Sequence, residues 1–427
     1  MTVTDSGQVR TVAFASAVGT TIEWYDYFIF STGAALIFSD RFFADLPAAS
    51  AVMASFATLG VGILARPFGG VLWGHFGDRL GRKGMLVTSL LLMGLATAGV
   101  GLLPSYQQVG VWSPVLLVLL RLLQGVSAGG EWGGAALMAV EHAPEGRQGR
   151  YGSFSQIGVP AGLILSQLVF LAMSSVTSKE EFTSWGWRVP FLLSLVLVAI
   201  GLVIRLRVAE SPVFRALSEE DRRSRAPVRE VFRLRSREVL LAAASFVANT
   251  AVGYIFLAYL LSYGTSVLHV GRNLMLLVVI VGSLTWLVAI VASAEWSDRV
   301  GRKRPYLIGS ILLVAWAIPL FLLIDTRVLG WMIVAVVVLN VGLGLTYGPQ
   351  SALFAALFEP RYRYSGVSIS YALGAVVGGG FAPLIATWLQ KTTGTSMAVS
   401  GYLIVVGLIS LAAVLAIREP RTHDHLS

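Results

Sequence analysis

Gly74-His-Phe-Gly-Asp78-Arg79-Leu-Gly81-Arg82-Lys83 returns, 220 positions later, as Ala294-Glu-Trp-Ser-Asp298-Arg299-Val-Gly301-Arg302-Lys303. Each copy follows one long apolar run and precedes another. A charged turn duplicated between apolar runs implies a chain built from two related halves. In a membrane chain, such internal repeats point to a carrier with its site between the halves.

The rest of the composition fits a membrane chain. Of the 427 residues, 56% are hydrophobic and 13% charged, and the mean hydropathy is +0.74. A soluble globular chain carries about 25% charged residues. Unbroken apolar runs exclude a β-barrel, whose strands alternate. The sequence predicts an all-α membrane protein of twelve transmembrane helices in two pseudo-symmetric six-helix bundles: 1–208, a linker over 209–237, and 238–427. The spans are expected near 12–38, 50–76, 84–103, 114–141, 148–174, 187–208, 238–264, 273–296, 304–324, 331–357, 365–390 and 397–417. The first run carries Glu23 and Asp26 and no small-residue cleavage site, so it reads as a retained helix.

Charge placement fixes the expected orientation. Of the 32 Lys and Arg, 24 fall on the side that holds the N-terminus and 6 on the other. The positive-inside rule then puts both termini in the cytoplasm. Topology accounts for the net charge of +9, and nothing calls for nucleic acid. The absence of cysteine excludes disulfides and thiol chemistry. No Walker loop is present, so no direct ATP drive is expected. Histidines are sparse and predict no metal site; His75 and His142 read as solvated at helix ends. Trp112, Trp185 and Trp187 read as an interfacial aromatic belt.

The remaining charges are the informative ones. A charge at mid-bilayer costs at least ~2.5 kcal/mol and is functional by default. Glu23, Asp26, Arg66, Arg121 and Glu131 all fall at such depths, and all belong to the first half. Three acids against two bases leave one acid over. A carboxylate in low dielectric holds its proton more tightly, which is what proton coupling needs. Glu23 and Asp26, three apart, read as sharing a face with Tyr27. A guanidinium grips a carboxylate with two parallel hydrogen bonds, so Arg121 and Arg66 are candidate contacts for an anion. Trp24, Tyr27 and Gln124 join them. The second half offers neutral polar groups instead: Tyr254, Asn340, Tyr347 and Gln350. Glycines in Gly129-Gly130-Glu131-Trp132-Gly133-Gly134, in Gly158-Val-Pro160-Ala-Gly162 and at Gly378-Gly379-Gly380 read as close helix contacts.

The first repeat resembles the loop between helices 2 and 3 of the major facilitator superfamily. Arg121-Leu-Leu-Gln124-Gly125 is similar to its helix 4 motif, whose Arg is tied to proton coupling. Within the superfamily, Glu23-Trp24-Tyr25-Asp26-Tyr27, Arg66-Pro67-Phe-Gly69-Gly70 and Gly129-Gly130-Glu131 resemble the metabolite:proton symporters. The run from Gly129 to Pro144 and that from Tyr151 to Gly162 are most similar to the shikimate-type branch.

The resemblance implies proton-coupled symport of a small organic anion, shikimate-like or another monocarboxylate, across a bacterial inner membrane. Asp26, Glu23 and Glu131 would handle the proton. Asp78, Arg79, Arg82, Asp298, Arg299 and Arg302 would form the cytoplasmic gate, with Asp78 at the N-terminus of helix 11. The second copy has Ala294 and Ser297 where the first has glycines, which bears on how closely it can pack. No cofactor is expected beyond the proton, and the chain is expected to act as a monomer. The alternatives are a proton-coupled exporter, a proline- or betaine-type osmolyte symporter, and a transport-dead sensor.

Overall fold

A computed structural model describes residues 6–80, 82–207, 231 and 233–418. The linker expected over 209–237 lies largely outside these. Among the described residues the chain is helical, with no strand. Twelve long segments follow one another. They are α1 (Ser6–Leu36), α2 (Ala48–Leu80), α3 (Arg82–Leu102), α4 (Trp112–Glu141), α5 (Gln148–Val176) and α6 (Arg188–Arg207), then α7 (Ser236–Tyr254), α8 (Arg272–Val300), α9 (Lys303–Ile324), α10 (Leu329–Tyr347), α11 (Arg363–Ala375) and α12 (Met397–Ala416). Among the described residues, ten of these segments are long and apolar enough to cross a membrane. Glu23 and Asp26 lie on α1, and Arg66 on α2.

Three segments run past those bounds. Wider turns at Ile255–Tyr259 and Tyr263–Val267 extend α7. Beyond the Gly348-Pro349 interruption, α10 resumes over Gln350–Ala356. A π-turn at Val376–Gly380 joins α11 to Ala382–Thr393.

The pairing of helices repeats between the halves. In the first, α2 packs on α4, α1 on α5, α3 on both α4 and α6, and α1 on α6. In the second, α8 packs on α10, α7 on α11, α9 on both α10 and α12, and α7 on α12. This is the pseudo-two-fold that the repeated phrase predicts. The halves meet along α2–α11 and α5–α8, themselves a symmetry-related pair of contacts, with α4 against α11 between them.

Glycine sets the spacing inside the first half. A Cβ on Gly125 would run into the Gly62 carbonyl, one on Gly129 into the Arg66 carbonyl, and one on Gly69 into the Val126 carbonyl. The backbones of α2 and α4 therefore touch along three turns. Small residues make such contact where no hydrophobic drive exists between helices.

Two sequence expectations are corrected. Trp187 is not interfacial: it is 1% exposed and packs edge-on against Phe38, Phe42 and Phe191. Of the three expected at the interface, Trp112 and Trp185 present open faces. His142 is not solvated. Its ring is buried, with Nδ1 2.9 Å from the Met138 carbonyl oxygen one turn back.

Candidate functional site

α1 divides its residues between two neighbours. The Tyr25 hydroxyl donates to the Pro190 carbonyl at 2.8 Å, and Ser194 donates to Asp26 Oδ1 at 2.6 Å. Pro190 and Ser194 are one turn apart on α6, so Tyr25 and Asp26 face that helix. Trp24, Tyr27 and Phe28 face the other way, into the core shared by the two halves. Glu23 turns with them: its carboxylate acts electrostatically on Arg66, Tyr347 and Tyr371. The expected common face of Glu23 and Asp26 is thus divided. Three residues on a helix leave about 60° between side chains, enough for two different neighbours.

Arg66 and Arg121 come from α2 and α4 and meet over one ring. The Arg66 guanidinium carbon lies 5.3 Å from the Tyr27 centroid and that of Arg121 lies 5.0 Å from it. Arg66 also faces Trp24 at 5.5 Å, and Arg121 covers Phe30 at 4.1 Å. Both side chains are buried, 4% and 3% exposed. Ring faces are negative and attract a cation most strongly when water is excluded. Arg121 Nη1 donates to Gln124 Oε1 at 3.0 Å, and Gln124 Nε2 donates to Thr97 at 2.7 Å. Arg121 Nε has no hydrogen-bond partner among the described residues. The arginine side chain crosses α2 at Gly62, where a Cβ would stand 2.5 Å from Nε.

The second half contributes Tyr254, edge-on to Tyr27 at 5.9 Å, and the Tyr347–Tyr371 pair. Asn340 donates to the Val336 carbonyl at 2.8 Å on its own helix; its Oδ1 and both amide atoms of Gln350 have no partner among the described residues. Among the described residues, no hydrogen bond joins either residue to the arginines. Asn249 is structural, bonded to Thr346 at 2.6 Å. Phe30, Ser194 and Thr97 were not singled out in the sequence. The one available signal was Phe30, three residues after Tyr27 on a helix already marked by buried charge.

The repeated phrases lie at one end of the molecule, and the halves are closed on each other there. Asp298 accepts from the Gly149 and Arg150 N–H groups at 2.7 and 2.9 Å, capping the first turn of α5. The helix dipole favours an anion at that place. Arg150 also pairs with Glu295 at 3.3 Å. Although the second copy lacks two glycines, the close contact survives with its glycine on the partner helix: Gly149 abuts Ser297 and the Ala294 carbonyl. In the first copy Gly74 and Gly77 abut Ser365 and Tyr364 at the start of α11. Arg299 is exposed and Arg302 half-buried. A buried pair completes the closure, Glu141 of α4 with Arg363 of α11 at 3.2 Å. The side chains of Asp78, Arg79, Arg82 and Glu131 lie outside those described.

Two bundles related by a pseudo-two-fold, closed at one end over buried charge, define a multi-pass membrane carrier and not an enzyme. The chain belongs to the Major Facilitator Superfamily, whose sequence profile matches residues 16–383. It is 38% identical over 417 residues to the shikimate transporter of Escherichia coli K12, covering 96% of this chain and 95% of the relative. It is also 38% identical over 419 residues to the inner membrane metabolite transport protein YhjE of the same organism, covering 96% and 94%. These bacterial relatives and the apolar helices make it an inner-membrane protein. The fold matches the proton:xylose symporter XylE bound to 6-bromo-6-deoxy-D-glucose with a TM-score of 0.79, at 15% identity and covering 96% and 95% of the two chains.

Proposed function

We propose that the chain carries a small organic anion, a hydroxylated monocarboxylate, inward together with a proton. The observation behind this reading is the pair of guanidinium groups held 5.3 and 5.0 Å from the same Tyr27 ring. Rings offset part of the cost of burying two like charges, and they leave the N–H groups able to take an incoming carboxylate. Glu23 acts on Arg66, so protonating Glu23 frees that cation's field for the anion. Asp26, beside α6, takes the proton in exchange with Glu23 or Glu131. Tyr254, Asn340, Tyr347 and Gln350 supply hydroxyl-matching contacts from the second half. The basic excess on one side makes the repeat-bearing end cytoplasmic, so the closed end in this structure is the inner one. The similarity to a relative named as a shikimate transporter supports an organic acid as cargo.

The test is uptake into proteoliposomes holding the purified chain, with shikimate as the probe. Acidifying the outside is expected to drive accumulation above equilibrium, and a protonophore to abolish it. If outward acidification drives efflux instead, the chain is an exporter. If proline or betaine accumulates and shikimate does not, the anion reading fails.

A further inference from the structure

Trp132 of α4 and Gln156 of α5 are both fully buried between the halves. The Trp132 indole lies flat on Tyr371 of α11, with centroids 3.9 Å apart and planes at 10°. Its N–H donates to Gln156 Oε1 at 2.6 Å. Gln156 Nε2 in turn donates to the Tyr347 carbonyl at 3.0 Å, where Gly348 and Pro349 interrupt α10. Tyr371 stacks on Phe246 at 4.7 Å, and Phe246 lies parallel to Tyr347 at 6.1 Å. Trp286 adjoins Tyr347 at 5.7 Å. Five rings from α4, α11, α7, α10 and α8 thus make one band. The two tyrosines in it are those on which Glu23 and Arg66 act electrostatically.

We propose that Trp132 and Gln156 are positioning residues that latch the cytoplasmic end beneath the charged site. The first half holds the second through two grips, a stacked ring on Tyr371 and a hydrogen bond to Tyr347. Opening toward the cytoplasm separates α4 and α5 from α10 and α11, so both grips must break in every cycle. The indole N–H couples them, because Gln156 can present its amide nitrogen to Tyr347 only while its oxygen is held by Trp132. Ring packing alone would require the stack but not the bond to Gln156. This inference rests on the carrier fold and on the cytoplasmic assignment of the closed end. It is independent of the anion and of the proton.

The chain has no cysteine, so one introduced thiol reports opening without background. Ser351 is suited to this: it is 1% exposed, and its Oγ lies 3.4 Å from Ser155 Oγ across the seam. Ser351→Cys is labelled with a membrane-impermeant maleimide applied to inside-out vesicles, with no cargo or proton gradient present. Trp132→Phe keeps a ring and removes the N–H; Gln156→Leu keeps the volume and removes both bonds. Each is expected to raise the labelling rate about tenfold, the equilibrium shift for losing the hydrogen bond that crosses the seam from Gln156 to Tyr347. Trp132→Phe is conservative enough to fold, and the melting temperature of each variant identifies general unfolding. Folded variants that label at the parent rate, or an increase in only one of the two, overturn the coupled latch.

Discussion

Arg121 shows how a buried cation is held without being used up. Two aromatic faces and one glutamine amide contact it. A desolvated cation–ring contact contributes up to about 2 kcal/mol, while an ion pair would neutralise the charge. Lysine can keep the charge but not the planar fork. Arg121→Lys is therefore expected to lower initial uptake of the anion more than about tenfold, measured as initial rates in proteoliposomes; near-normal rates would remove Arg121 from the anion site. Asp26→Asn is expected to abolish uphill accumulation and to spare counterflow exchange, and persistent pH-driven accumulation would remove its proton role. Glu23→Gln, by contrast, is expected to make anion affinity independent of external pH, because Glu23 acts electrostatically on Arg66. At this scale the sequence showed which residues carry charge at depth, and the structure buries Glu23, Asp26, Arg66 and Arg121. It did not show which way each faces. That follows from Pro190 and Ser194 on α6, whose position against α1 is a tertiary fact no local spacing encodes.

Among the elements, α2 and α4 form the most constrained pair. Gly125 lets α4 approach the Gly62 carbonyl, and Gly62 in turn lets the Arg121 side chain pass. Gly62→Ala is expected to push the guanidinium off Tyr27 and to reduce uptake while the chain still folds, checked by comparing initial rates with the melting temperature. Gly129→Ala is expected to destabilise the bundle by about 1–3 kcal/mol, seen as a lowered melting temperature, since its Cβ would meet backbone that cannot yield. Helix positions were legible from apolar runs and punctuation, within a few residues at most ends. The turns at Ile255–Tyr259 and Val376–Gly380 were not. An extra residue in a turn is set by packing, here Gly378 against Thr250 and Val247, and leaves no periodic mark.

For the whole molecule, closure at the repeat-bearing end combines helix capping by Asp298 with the buried Glu141–Arg363 pair. Removing one partner of a buried pair leaves the other charge uncompensated, at about 3–5 kcal/mol. Glu141→Gln is expected to weaken closure and to increase tryptic cleavage at arginines of that end, assayed on inside-out vesicles; unchanged cleavage would show that the pair does not hold the halves shut. The duplication was visible in ten residues, but the pairing of α2 with α11 and α5 with α8 was not, because a repeat says that halves correspond and not how they dock.

The glycine seam has a consequence for size discrimination. Arg66 and Arg121 stand on two helices whose backbones touch along three turns, so the pair travels as one rigid piece while the halves rock. On the proposed anion reading, its two cations work as a caliper of set width, which an anionic group spans or fails to span before its outline is tested. Lengthening a dicarboxylate by single methylenes should then give a sharp optimum in inhibition, where a pliable site would give a plateau.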